Sequence, residues 1–287
     1  LDWRKEVDFI NELSKITKAD VMAFANKYLN NNYVAIYKKK GERPITEKIE
    51  KPQITPIEMN ADKTSAFVEM VDAIPNTPVK PEFLDYNKDL QKGNLGKAEV
   101  LYVQNKDNDL FRLSFRYKIG YNNDLVLPWA GSYLQFLGTD KKSAEEIAKE
   151  FYKIASSFNI TVGEEYTTVF IEGLQENFEA AVKLYEELVL NAKVDEDALK
   201  PLKERTYKSR INNKTNKTQI MQALTSYAMY GAKNKYNNSL SNAQIEKMSS
   251  QELVSKVRKL NELEQTIIYY GPASLSELTN KLGKWHK

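Results

Sequence analysis

Six prolines fall between Gly41 and about Asp85, at Pro44, Pro52, Pro56, Pro75, Pro78 and Pro81, with only short apolar pairs between them. Proline fixes φ and removes a backbone donor, so this stretch reads as extended backbone without a regular ladder. A connection of that length inside one compact unit is uncommon. The expectation is therefore a chain in three parts: 1–40, an interdomain linker at 41–85, and a long domain at 86–287.

The flanking parts carry clear periodicity. Residues 5–13 and 17–29 read as helices, the second opened by Thr17 as N-cap with Asp20 as its capping-box partner. Val21, Phe24, Ala25, Tyr28 and Leu29 share one face, and Tyr33–Tyr37 alternates as a strand. Beyond the linker, Glu99–Val103 and Leu110–Tyr117 read as a hairpin. Helices are expected at about 124–137, 143–157, 175–190, 195–213, 217–230, 249–260 and 275–282, and further strands at Ile160–Val162, Thr168–Ile171 and Thr266–Tyr270. The sum is α+β: an antiparallel or mixed sheet with helices packed mainly on one face. The order capped helix, break, apolar strand occurs at 17–37 and again at 249–270, the pattern expected of two related domains of which the first is partial.

Composition removes whole classes of chemistry. The 287 residues contain no cysteine and one histidine, His286, so thiolate nucleophiles, cysteine metal sites, Ser-His-Asp triads and multi-histidine metal sites cannot be assembled from this chain. A net charge of +3 with 28% charged residues is neither polyacidic nor polybasic, and the basic run has no interleaved aromatics, so no nucleic-acid partner is expected. No window has the length and apolarity of a membrane span. Leu1-Asp2-Trp3 reads as helix interior rather than as an initiator or signal peptide, and the expectation is a piece of a longer polypeptide.

Six stretches, in order, resemble one family: "SKITKADVMAFANKYLNNNYVAIYKKKGE", "PEFLDY", "NKDNDLFRLSFRYKIG", "LQFLGTDKKSAEEIAKEFY", "IEGLQENFEAAVKLYEELV" and "IIYYGPASLSELTNKL". The family is the pitrilysin/insulinase group of zinc metallopeptidases, the inverzincins, whose domains have the LuxS-like metallopeptidase fold. Active members carry H-x-x-E-H on the helix before the Gly-Thr, and a later glutamate completes the zinc site. Counting back from Gly138-Thr139, the histidine positions match Trp129 and Tyr133, the glutamate position matches Ser132, and the third ligand falls near Ser209. Indole has no lone pair to give, a neutral phenol is a poor zinc ligand, and serine is no base at neutral pH. The resemblance thus implies no catalytic, cofactor or metal residue in 86–287.

It further implies that 1–40 is the tail of a preceding domain of the same type, and that 86–287 is the inactive counterpart of a zinc-bearing half. Together they would form the wall or lid of a chamber for peptides or unfolded proteins. The implied partner is that catalytic half, on the same or another polypeptide, and the parent would be a zinc metallopeptidase. Bacterial relatives point to the periplasm or cell envelope. The alternative is an inactive family member serving as a scaffold or partner subunit. A third reading is a free-standing module that adds a peptide strand to its sheet edge.

Other features read as structural. The stripe Trp129, Tyr133 and Phe136 is expected to be core, and Asp107-Asn108-Asp109 a turn without calcium. The cations Lys200, Lys203, Arg205, Lys208, Arg210, Lys214 and Lys217 read as a solvated helix face, with a positive chamber wall as the alternative. Glu145-Glu146 and Glu186-Glu187 are expected to be solvated, and His286 beside Trp285 a chain-end feature.

Overall fold

The computed structural model describes residues 3–38, 41, 51–56, 63–76 and 78–286. The chain divides into two units, Leu1–Pro78 and Val79–Lys287, described here separately.

In the first unit, α1 (Trp3–Ser14) is followed by α2 (Lys18–Tyr28). The capping box forms: Thr17 Oγ1 accepts the Asp20 N–H at 3.2 Å, and Asp20 Oδ2 accepts the Thr17 N–H at 2.8 Å. No residue of α2 is buried, and the Phe24 and Tyr28 rings lie against each other with centroids 4.6 Å apart. The strand expected at Tyr33–Tyr37 does not form; residues 32–38 carry no ladder. A strand is defined by its neighbour, and none lies among the described residues of this unit. The linker is also not wholly extended. A short helix, α3 (Ala66–Asp72), starts where Ser65 Oγ accepts the Val68 N–H at 3.3 Å, in a window that holds no proline.

The second unit opens with β1 (Gln91–Leu95) and β2 (Ala98–Gln104), a hairpin turned at Gly96, whose φ of +58° disfavours any residue with a Cβ. There follow β3 (Leu110–Tyr117), α4 (Leu127–Leu134), α5 (Ala144–Lys153), β4 (Ser156–Val162) and β5 (Thr167–Leu174). The remainder is mainly helical: α6 (Phe178–Asn191), α7 (Glu196–Asn213), α8 (Lys217–Tyr230), α9 (Asn242–Lys247) and α10 (Ser250–Leu260), then β6 (Gln265–Gly271) and α11 (Leu275–Leu282).

The strands form one six-stranded sheet in the order β1-β2-β6-β3-β5-β4, with β2 and β6 parallel and every other pair antiparallel. The expected hairpin between β2 and β3 is therefore overturned, because β6 lies between them. Ile267 pairs with Val100 on one side and Phe115 on the other. Residues 105–109 cross the end of β6 instead of closing a turn: the Asn105 N–H donates to the Gly271 carbonyl at 2.8 Å and Asn105 Nδ2 donates to the Leu110 carbonyl at 3.0 Å.

Register puts Val100, Tyr102, Leu113, Phe115, Val169, Ile171, Ile267 and Tyr269 on one face, all buried. The helices α4, α5, α6, α10 and α11 cover that face. Arg112, Arg116 and Tyr270 on the opposite face are exposed, Arg112 Nε being 2.5 Å from Glu172 Oε1 on the neighbouring strand. The α+β fold with helices on one face, inferred from the periodicities, is the fold observed.

Candidate functional site

Helix α4 carries three of the four positions expected to match the family's zinc site, the two histidine positions Trp129 and Tyr133 and the glutamate position Ser132. Pro128 occupies its first turn, where the missing N–H is not needed, and the helix ends at Leu134, ahead of the turn at Gly138-Thr139. A Cβ on Gly138 would lie 2.4 Å from the Lys142 carbonyl oxygen, so only glycine admits this turn. Thr139 donates its N–H to that oxygen at 2.8 Å, and Ser143 then caps α5 with Glu146 as reciprocal partner.

Tyr133 points inward and is fully buried. Its hydroxyl donates to the Asp195 carbonyl and meets Ser250 Oγ, while the Asp195 N–H reaches Ser250 Oγ at 3.0 Å. Burial raises the phenol above its ordinary pKa, so the oxygen keeps its proton. Ser132 and Trp129 face the other way, Ser132 exposed and Trp129 half-buried. Ser209 lies on α7, exposed, and is not among the residues that line the space beside α4. Thr206 and Arg210 line it instead. The donors are thus dispersed and chemically unsuited: a protonated, engaged phenol, an indole, two hydroxyls, and a guanidinium that repels a dication. This set does not fit zinc. Among the described residues no group of three or more His, Asp or Glu side chains is arranged to hold a metal.

What the fold builds here is a cavity of about 530 Å³ between α4, α7 and the loop 231–241. Tyr121, Trp129 and Tyr236 supply aromatic walls, Leu125 and Leu240 apolar surface, and Arg210 and Lys235 positive charge. Arg210 is braced, Nη1 donating to Asn242 Oδ1 at 2.5 Å and Nη2 to the Leu240 carbonyl at 2.6 Å. Sequence reasoning missed this site. The only local signal is the i, i+4 spacing of Thr206 and Arg210, and Lys235 and Tyr236 arrive from a loop with no periodicity.

Several structural expectations need correction. His286 is a core residue, its ring stacked on Phe115 with centroids 4.0 Å apart. Glu186 is also buried and faces it, with Asn261 Nδ2 at 3.4 Å from the second carboxylate oxygen. The α6 face carrying Glu186 packs on α10 and α11, so solvation does not explain that carboxylate. Phe136 lies two residues past the end of α4 and is 37% exposed, with the Arg205 guanidinium 5.6 Å from its ring centroid. The basic run is only partly solvated. Lys203 Nζ donates to the Glu246 and Met248 carbonyls at 2.9 Å each, whereas Lys208, Lys214 and Lys217 are exposed.

Residues 132–244 match the family model for insulinase, peptidase family M16. Over those residues, fewer than half of its length, the chain is similar to the M16 peptidase family. Its fold is that of the peptidase M16 inactive domain from Pseudomonas fluorescens, at TM-score 0.59 and 18% identity over 69% of this chain and 50% of that one. The periplasmic protease PqqL from Escherichia coli aligns over 94% of this chain and 28% of its own, at TM-score 0.58 and 13% identity. The ferredoxin protease FusC, solved with Arabidopsis ferredoxin, aligns over the same shares at TM-score 0.59 and 15% identity. The chain therefore spans half or less of each M16 neighbour named, and likeness at these identities establishes the fold. No curated protein sequence matches the chain. Among the described residues no helix is long and apolar enough to cross a membrane.

Proposed function

We propose that the chain is a non-catalytic segment of a zinc-dependent M16 metalloendopeptidase, with 86–287 forming part of the wall or lid of its peptide chamber. The observation that carries this is α4. By the count back from Gly138-Thr139 it corresponds to the family's metal-binding helix, yet it offers Trp129, Ser132 and a buried, engaged Tyr133. Residues 1–40 then belong to a preceding domain of the same type and 41–85 to the linker between halves. Two neighbours that align over 94% of the chain while being far longer support that reading.

Exposed apolar surface supports a covering partner. On α8, Ile220, Met221, Leu224, Tyr227, Met229 and Tyr230 are all exposed, more than a solvated helix needs. The partner assigned is the catalytic half, on the same or a second polypeptide, with zinc in that half. A peptide or unfolded protein is the substrate; the FusC complex with ferredoxin supports a protein as substrate. The periplasmic location of PqqL supports the bacterial envelope as the compartment.

Assay of the parent polypeptide against unfolded protein, with and without a zinc chelator, tests the reading. Chelator-sensitive hydrolysis by the parent and none by the 287-residue chain is the expected pair of results. A parent without zinc or hydrolysis would overturn it in favour of a scaffold subunit.

A further inference from the structure

The cavity beside α4 is chemically one-sided. Arg210 and Lys235 both line it, and no carboxylate does among the described residues. The guanidinium is held rigid by its bonds to Asn242 and Leu240, which use two of its five N–H donors and leave three. Lys235 is exposed, with Nζ 5.4 Å from the Tyr236 ring centroid. Trp129 of α4 and Tyr236 line the same space. The volume of about 530 Å³ falls in the range of small-ligand sites. A braced guanidinium and a lysine around one space with flat apolar walls select an anion with an apolar body, because each half of such a ligand meets its complement.

We infer that this cavity binds a carboxylate borne on an aromatic or branched apolar group, as in the C-terminal residue of a peptide or a free aromatic acid. Arg210 and Lys235 hold the carboxylate, and Trp129 and Tyr236 flank the apolar group. The peptide source rests on the chamber reading above; the chemistry of the pocket does not. Of the four family-matched positions, Trp129 and Ser132 line this site.

Calorimetric titration of the 287-residue chain with N-acetylphenylalanine, its amide, and a hexapeptide ending in free or amidated phenylalanine tests the inference. The free acids should bind and the amides should bind at least about tenfold more weakly. Lys235→Gln, at an exposed position, should weaken the acids by about tenfold. Ser132→Trp, at the exposed mouth, should abolish binding while leaving the melting temperature unchanged. Binding of the hexapeptide acid assigns a peptide source, and binding of the small acid alone assigns a free acid. Equal binding of acid and amide, no heat up to about 10 mM, or binding indifferent to Ser132→Trp would overturn the inference. Such failure leaves the chamber-wall reading standing, and zinc-dependent hydrolysis by this chain would overturn that reading while leaving the pocket.

Discussion

His286 Nδ1 lies 2.5 Å from Glu186 Oε1, and both side chains are almost wholly removed from solvent. The far ring nitrogen is 2.7 Å from Gln265 Nε2, so a proton on Nδ1 lets the imidazole donate to the carboxylate and accept from the amide. Tyr117 donates to Asn261 Oδ1 at 2.9 Å, and Asn261 in turn reaches Glu186 Oε2. This chain of contacts ties the last turn of the described structure to α6, α10 and β6.

Removing one partner strands the other in a dry core. His286→Phe and Glu186→Leu should each lower unfolding free energy by about 3 kcal/mol in denaturant titration. The double variant His286→Phe/Glu186→Leu should cost less than the sum, because no buried polar partner of the pair remains. Strict additivity would mean that the pair is not coupled.

Tyr133→Phe deletes the hydroxyl that joins α4 to Asp195 and Ser250. The ring still fills its place, so the loss is one of hydrogen bonding, about 1–3 kcal/mol by the same titration. Zinc content should not change. A variant as stable as the parent would show that this hydroxyl is not a brace.

Burial pushes Tyr269 up to about 12 and raises Tyr117 and Tyr185 further above the ordinary phenol range. A folded value raised above the unfolded one stabilises fully below about pH 10, and that contribution is lost as pH rises through the folded value. Absorbance titration should therefore find a distinct late phase of phenol ionisation. These three tyrosines should follow only at higher pH or on alkaline unfolding. Ionisation of all 17 tyrosines in one step, with the fold intact, would contradict the burial.

At the acid end, hydrogen bonds from Trp285 Nε1 and Lys284 Nζ lower the pKa of Glu179 from its ordinary 4.5. The depressed value means that its contribution is present above about pH 4.5 and is lost as pH falls through the folded value. The melting temperature should drop across that interval. Glu179→Gln should flatten the drop and make the Trp285 emission less dependent on pH. An unchanged acid slope in the variant would remove Glu179 from the account.

Local signals carried much of this fold. The capping boxes at Thr17 and Ser143 and the apolar stripe of Phe178, Ala181, Val182, Tyr185 and Leu188 announce their helices within a few residues. Pairings distant in sequence did not reveal themselves. The insertion of β6 between β2 and β3 depends on a strand more than a hundred residues away, and a β2–β3 hairpin has the same local pattern. Tyr33–Tyr37 has strand periodicity but no neighbour to pair with, which no single segment can reveal. His286 looked peripheral because position in a chain was taken for position in space. The α4 substitutions at Trp129, Ser132 and Tyr133 were legible because they are residue identities. The cavity was not, because Trp129, Arg210 and Lys235 come from three separate elements.

The central claim is that the domain from β1 to α11 holds no zinc, because α4 presents no donors suited to it. Zinc bound per chain after equilibrium dialysis of the 287-residue protein measures this directly. The account predicts a content far below one and no dependence on Ser132→Ala or Tyr133→Phe. One zinc per chain, retained through dialysis and lost in either variant, would contradict it.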